Sequence, residues 1–255
     1  MLTGPRGCLV TGGSRGIGAA IAAALAGHGA RVAVHAGRDL AAARAVVDSL
    51  PGAGHVAVVG DLADPDAAPA VVAAAVDGLG RLDVLVNNAG VFEAHPIDGV
   101  DLDTWRAAWR RHVAVNLLGP ADLAWLLVDH LRSRPEGAAG GRIVAVGSRG
   151  AYRGEPVTAA YAATKAGLHS MTQSLALALA PYGITATAVA PGFVETDMAR
   201  SVLDSPAGDA VRAQSPFGRV ATADEIAATV MWLALDAPDW VSGAVLDVNG
   251  ASHLR

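Results

Sequence analysis

The chain has 255 residues, 52% hydrophobic and 17% charged, a balance that supplies one large core and excludes a disordered protein. Its net charge is −5 and no basic cluster is present, so a nucleic-acid surface is not expected. No apolar run approaches the ~18 residues that span a bilayer, and the single cysteine, Cys8, cannot close an internal disulfide.

The first predicted strand is GCLVT, followed from Thr11 by the glycine motif TGGSRGIG and by a helix over Gly16 to His28. A motif that early leaves no room for a cleavable signal ahead of a structured strand, so a cytoplasmic protein is expected. RVAVH is the second strand, Leu40 to Leu50 the second helix, HVAVVG the third strand and Asp66 to Leu79 the third helix. DVLVNN, a long helix over Trp105 to Arg134 and the flexible connection RSRPEGAAGG lead to the strand RIVAVGS. A helix over Thr158 to Pro181, the strand ITATAVAP, a looser excursion over Glu195 to Arg219, a helix over Ala223 to Leu235 and the strand AVLDV complete the order. Most of these strands are uniformly apolar rather than alternating, as strands covered on both faces are. Strands alternating with crossover helices define an α/β fold, a doubly wound seven-stranded parallel sheet with helices on both faces. The expectation is one Rossmann-type domain, 1–255, with a cofactor half over about 1–115 and a catalytic and substrate half over about 116–255.

In the loop TGGSRGIG, Gly12, Gly16 and Gly18 let the backbone turn sharply, approach a pyrophosphate and pack the helix on the strand. Ser14, Arg15 and Ile17 complete the predicted phosphate contacts. The strand before it and the helix after it are the context that separates a nucleotide site from a tight turn. An acid at the end of the second strand would accept the ribose 2′-hydroxyl of NAD, but Ala36 and Gly37 stand there, followed by Arg38. Arg38 and Arg15 suit a 2′-phosphate, so NADP(H) is favoured over NAD(H), the alternative being that both arginines are merely solvated. Asp39 speaks the other way unless it caps the next helix. After the third strand, DLAD sets Asp61 and Leu62 where an adenine would lie, or else Asp64 and Asp66 simply begin a helix.

The basic residues comprise eighteen arginines and one lysine, Lys165, in YAATK. It lies four residues after Tyr161, on the same helical face. Four residues after the other two tyrosines, Tyr152 and Tyr182, stand Pro156 and Ala186. Chance would put the one lysine at that position in about one case in nineteen. A phenol with an ordinary pKa near ~10 needs a nearby cation to act at neutral pH, and a compact ammonium can also donate to ribose hydroxyls. Ser148 ends the fifth strand, thirteen residues before Tyr161, at the edge where ligands of such sheets bind; it either donates to a substrate oxygen or caps the next turn. Asn116 is a polar residue within an apolar helix and requires a partner, a backbone carbonyl or a water leading to Lys165.

With TGGSRGIG, DLAD, NNAG (Asn87 to Gly90), Asn116, Ser148, YAATK and PGFVETDM (Pro191 to Met198) in this order, the chain resembles the short-chain dehydrogenases/reductases of single-domain type. The resemblance implies that Tyr161 is the general acid or base, that Lys165 lowers its pKa and binds the nicotinamide ribose, that Ser148 orients the substrate oxygen and that Asn116 holds a relay water. It also implies cofactor contacts by Asn88, Ala89 and Gly90, by Pro191, Gly192, Val194 and Thr196, and a homotetramer. PGFVETDM, Gly218-Arg219 and VSGAVLDVNGA are most similar to 3-oxoacyl-carrier-protein reductases, which implies a ketone or β-ketoacyl substrate, thioester-linked or free. The chain departs from them at Asn249-Gly250-Ala251, where a double glycine is usual, and in LALALAP, which lacks their basic residue for a carrier protein.

An NAD-dependent alcohol or sugar dehydrogenase and a non-catalytic nucleotide sensor are the alternatives, the sensor having no need of Ser148, Tyr161 and Lys165 together. Arg149, Tyr152 and Arg153 follow Ser148 near the expected substrate mouth and are either selective for an anionic substrate or solvated. The eight histidines show no metal-ligand spacing, so no metal is expected. Trp105 and Trp109 fit helix packing or a subunit contact.

Overall fold

Consecutive side chains of a strand point to opposite faces, and here both faces are apolar, so each predicted run forms a strand buried between two layers. The computed structural model describes residues 4–255; residues 1–3 of the expected domain lie outside it. The strands are β1 (Gly7–Val10), β2 (Arg31–Ala36), β3 (Val56–Val59), β4 (Val84–Asn87), β5 (Arg142–Val146), β6 (Thr185–Pro191) and β7 (Val245–Val248). They pair in parallel in one sheet of order β3-β2-β1-β4-β5-β6-β7. Cys8, Val10, Val84, Val86, Val144 and Val146 face one layer, packed by α1 (Gly16–Gly27) and α9 (Ala223–Leu235). Leu9, Leu85 and Ile143 face the other, packed by α3 (Ala67–Leu79), α5 (Gly119–Ser133) and α6 (Ala159–Leu179). Cys8 is a core residue whose thiol burial pushes up to about 12.

The chain runs outward in opposite directions from β1 and β4, and that reversal opens a crevice at their C-terminal ends. Asp39 caps α2 (Leu40–Ser49) by accepting from the Ala42 N–H at 2.9 Å.

The expected helix over 105–134 is two helices joined by a wider turn. Asp101 accepts from Thr104 N–H at 2.7 Å, so α4 (Leu102–Val113) starts three residues early. A π turn over Ala114–Leu118 then leads into α5. Pro120, near the start of α5, has no N–H for the carbonyl of Asn116 and its ring crowds that carbonyl, so the regular ladder fails at this point. The excursion over Glu195 to Arg219 contains two short helices, α7 (Asp197–Leu203) and α8 (Gly208–Arg212). Ala251, in the place where the similar reductases have a second glycine, adopts φ 57°, the one left-handed non-glycine among the described residues.

Candidate active site

The loop after β1 is shaped by what glycine permits. Gly12 and Gly16 have φ of 60° and 53°, and a Cβ on Gly18 would lie 2.2 Å from the Gly12 carbonyl oxygen. No side chain caps α1 and no acid occupies its first turn, so its N-terminal N–H groups are available to an anion. The loop is tied to the end of β4: the Thr11 hydroxyl accepts from the N–H of Asn88 and Ala89 at 2.9 and 3.0 Å, and Asn88 Nδ2 donates to the carbonyls of Thr11 and Gly12 at 2.8 and 3.1 Å. Asn88 therefore lines the cleft chiefly as a tie for the glycine loop.

His35, absent from the residues picked out by sequence, completes this frame. It is buried at the end of β2; its Nδ1 accepts from Gly12 N–H at 3.1 Å and its Nε2 reaches the Gly60 carbonyl at 2.8 Å. These bonds require a neutral ring with the proton on Nε2. Burial lowers its pKa, against the pull of the Gly60 carbonyl and Asp61.

Asp61 is engaged by the protein itself. Its carboxylate accepts from Arg38 at 2.9 Å, from Arg111 at 3.1 Å and from Ala63 N–H at 3.0 Å. Burial pushes its pKa up, but these hydrogen bonds outweigh that and hold it low. Arg38 stands in solvent over this pair, its side chain 81% exposed, with its guanidinium directed to Asp61. Arg111, a cleft residue on α4, was not marked by sequence because nothing distinguishes it from its neighbour Arg110.

At the other end, α6 presents Tyr161 and Lys165. The helix start is set by His95, whose Nε2 accepts from Ala160 N–H at 3.1 Å, rather than by Thr158. Lys165 is 3% exposed, donates to the Val146 carbonyl at 2.8 Å and lies 5.7 Å from the Tyr161 ring centroid. Burial alone brings its pKa down to about 8. The Tyr161 phenol is raised by burial, the nearby Ser148 hydroxyl pulls it down and the charge of Glu155 pushes it up further. The lysine thus shares the floor with the phenol while its ammonium is spent on a carbonyl. Ser148 Oγ accepts from Gly150 N–H at 3.0 Å, so it caps the turn after β5 and also lines the cleft.

Asn116 is fully buried in the π turn. Its Oδ1 accepts from Val91 N–H at 2.8 Å, and its Nδ2 donates to the Val91 carbonyl at 3.0 Å and to the Thr164 hydroxyl at 3.3 Å. Val91 is thus the backbone partner that a buried asparagine in an apolar helix requires. Gly90 lies between Asn116 and Lys165: a Cβ there would be in ordinary contact with Asn116 Oδ1 at 3.4 Å and Lys165 Nζ at 3.6 Å. Phe92, packed edge-on against the Tyr161 ring at 4.9 Å, and Phe193 form apolar walls. Both lie just past the ends of strands, β4 and β6, a position that could have flagged them.

The walls enclose one cleft of about 360 Å³. Every residue predicted for catalysis or cofactor binding lines it except Arg38, at its outer rim, and Asn116, behind its wall; of the three residues expected at the substrate mouth Arg149 lines it and Tyr152 and Arg153 do not. Among the described residues no group of acids, histidines or cysteine could hold a metal ion, and no helix is long and apolar enough to cross a membrane. Trp105 and Trp109 pack against each other, 6.0 Å between ring centroids, with Trp105 also against His95.

A parallel sheet with a glycine loop at its switch point and a tyrosine–lysine pair on the same cleft defines a dinucleotide-dependent oxidoreductase. The family model described as enoyl-(acyl carrier protein) reductase matches residues 12–253. The chain is 40% identical over 249 residues, 95% of it and 94% of the relative, to an L-rhamnose 1-dehydrogenase (NAD(P)(+)) of Azotobacter vinelandii. It is 37% identical to a 3-oxoacyl-[acyl-carrier-protein] reductase of Escherichia coli, covering 96% of each. A short chain dehydrogenase of Burkholderia cenocepacia, solved in complex with NADP, superposes with a TM-score of 0.85 at 36% identity over 97% of each chain. The chain belongs to the short-chain dehydrogenase/reductase family of oxidoreductases.

The residues present fit a nicotinamide dinucleotide. A Cβ at Gly12 or Gly18 would fall within 3.0 Å of neighbouring backbone, and the buried Lys165 ammonium has no carboxylate beside it.

Proposed function

We propose that the protein is an NADP(H)-dependent oxidoreductase that interconverts a carbonyl and a secondary alcohol, with Tyr161 as general acid and base. What carries this reading is the meeting of Ser148, Tyr161 and Lys165 in the cleft that the glycine loop closes at its other end. When bound, the nicotinamide supplies or takes the hydride. Tyr161 gives its proton to the substrate oxygen in reduction and recovers it in oxidation. Ser148 donates to the same oxygen. Lys165 exchanges the Val146 carbonyl for the ribose hydroxyls and favours the phenolate. Asn116 holds the Val91 backbone, which fixes the wall beside Gly90. Gly12 to Gly18 cradle the pyrophosphate, Asp61 and Leu62 flank the adenine, and Pro191, Gly192, Val194 and Thr196 receive the nicotinamide half.

NADP(H) is supported by Arg38 and Arg15 and by the lack of an acid at the end of β2, and a structural neighbour binds NADP. Residues about 1–115 then serve the cofactor and about 116–255 catalysis, in one cytoplasmic domain. Exposed Trp125 on α5 and Leu177 on α6, 66% and 82% accessible, are consistent with a homotetramer packed through these helices. The second reading is a sugar or alcohol dehydrogenase using either nucleotide, supported by the similarity to L-rhamnose 1-dehydrogenase.

The test is a panel of ketones, β-ketoacyl thioesters and, with NADP, sugars, followed by NADPH absorbance. Reduction of at least one carbonyl class is expected, and Tyr161→Phe should abolish it while NADPH still binds; substantial activity of that variant would refute the acid. Arg38→Asp should shift the NADPH to NADH preference at least about tenfold toward NADH, and an unchanged ratio would place the reading of the 2′-phosphate elsewhere.

A further inference from the structure

Among the described residues the most deeply buried cations are Arg142, Lys165, Arg149 and Arg134, the last paired with Asp83 at 2.7 Å. Arg142 has Asp239 at 3.6 Å, and Lys165 has the Val146 carbonyl and its proposed task at the ribose. Arg149 has no carboxylate within 4.0 Å. One of its nitrogens, Nη2, donates to Gln214 Oε1, which also accepts from Arg153 Nη1 at 3.3 Å. The Arg149 guanidinium is held over the Phe193 ring, 5.2 Å from its centroid. Its remaining N–H groups have no protein acceptor among the described residues.

The place of this cation matters. Arg149 follows Ser148 directly, at 4% exposure, and lines the catalytic cleft as well as a second cavity of about 410 Å³ beside β7. In that second cavity the other charges are matched: Arg219 by Glu225 at 2.6 Å and Asp247 by Arg255 at 2.9 Å. On the cleft side Asp61 is paired with Arg38 and Arg111 and Asp197 with Arg200, which leaves Glu155, whose carboxyl is not ion-paired and is pushed up by burial, against the pull of Arg153 and Arg149. Two guanidiniums against one carboxyl leave one positive charge over. A buried cation without its counter-ion is costly, and its fork geometry matches a carboxylate.

We infer that Arg149 anchors the carboxylate of the substrate, so that the carbonyl compounds reduced here are oxo acids and the products hydroxy acids. This rests on the carbonyl–alcohol reading above. Hydride adds to the oxo carbon, the C=O π bond breaks toward oxygen and Tyr161 supplies the proton; the carboxylate takes no part and is held at the far end of a carbon skeleton that lies between Phe92 and Phe193. Glu155 limits the affinity by repelling that same group.

The experiment compares oxo acids of three to eight carbons with their methyl esters at saturating NADPH. Wild type should prefer the acid by at least about tenfold in kcat/KM for some chain length, carried by KM. Arg149→Met should erase the preference, acids losing at least about tenfold more than their esters; Arg149→Lys should keep part of it, and Glu155→Gln should widen it. Hexanoate should inhibit wild type competitively with the ketone substrate and hexanamide should not, a result that does not depend on any variant folding. Equal kcat/KM for acids and esters, a preference that survives Arg149→Met, or equal inhibition by the amide would overturn the anchor while leaving the reductase intact. Failure to reduce any carbonyl compound, with NADPH bound, would instead remove the reading on which it rests.

Discussion

His35, at the nucleotide end of the cleft, and His169, under its catalytic floor, are both buried, and burial lowers the pKa of each, yet their surroundings are opposite. Both ring nitrogens of His35 are hydrogen-bonded, to Gly12 and Gly60. Neither nitrogen of His169 has a partner; its ring lies against Gly147, where a Cβ would come within 1.8 Å of Nε2, and 5.1 Å from the Tyr152 ring. The nucleotide end is closed on itself: Thr11, Asn88 and His35 satisfy one another's backbone before any ligand arrives. The catalytic end keeps groups open, with Arg149 and Glu155 in no ion pair and Lys165 on a carbonyl. Buried polar groups left short of partners call for an explanation, and at an active site that explanation is exchange of partners during turnover.

This contrast is broken most severely at Lys165. Lys165→Arg keeps the charge but replaces a compact ammonium by a planar fork at a position that is 3% exposed. Turnover should fall about 100-fold or more with the fold intact by circular dichroism. A fully active variant would mean that the open end needs only a charge. The closed end responds differently. His35→Leu leaves the Gly12 N–H and the Gly60 carbonyl without partners, which should cost about 2–4 kcal/mol in urea unfolding and weaken NADPH binding, while kcat at saturating NADPH changes little. Loss of kcat without loss of affinity would show that the two ends are not separable in this way.

The closed end was the more legible of the two in the sequence. Parallel strands buried on both faces appear as short apolar runs, and the glycine loop announces itself because only glycine tolerates its torsions and contacts. Tyr161, Lys165 and Ser148 were legible through spacing and through a lysine used once. His35 was not, since a histidine inside RVAVH looks like any strand residue until Gly12 and Gly60 are folded over it. The break at Ala114–Leu118 depends on Pro120 acting on a carbonyl four residues back, which periodicity does not register. Arg38 is legible as a basic residue at a strand end, but its ion pair with Asp61 is not, because residues 23 apart meet only across two neighbouring strand ends.

The smallest expected effect is at His169, where the sign separates the two ends. A histidine whose pKa is depressed by folding contributes stability that is fully present above its unfolded value of 6.5 and is lost as pH falls toward its folded value, about 4 here. At 1.36 kcal/mol per pH unit this amounts to roughly 3 kcal/mol at most. The ring makes no hydrogen bond, so His169→Leu should leave stability at pH 7 within about 1 kcal/mol of wild type, whereas His35→Leu does not. Between pH 7 and pH 4.5 the wild type should then lose about 2 kcal/mol more than His169→Leu, measured by urea unfolding at both pH values. Parallel losses in the two proteins would mean that the ring finds a proton partner as the acid limb is reached, and that the catalytic floor is as closed as the nucleotide end.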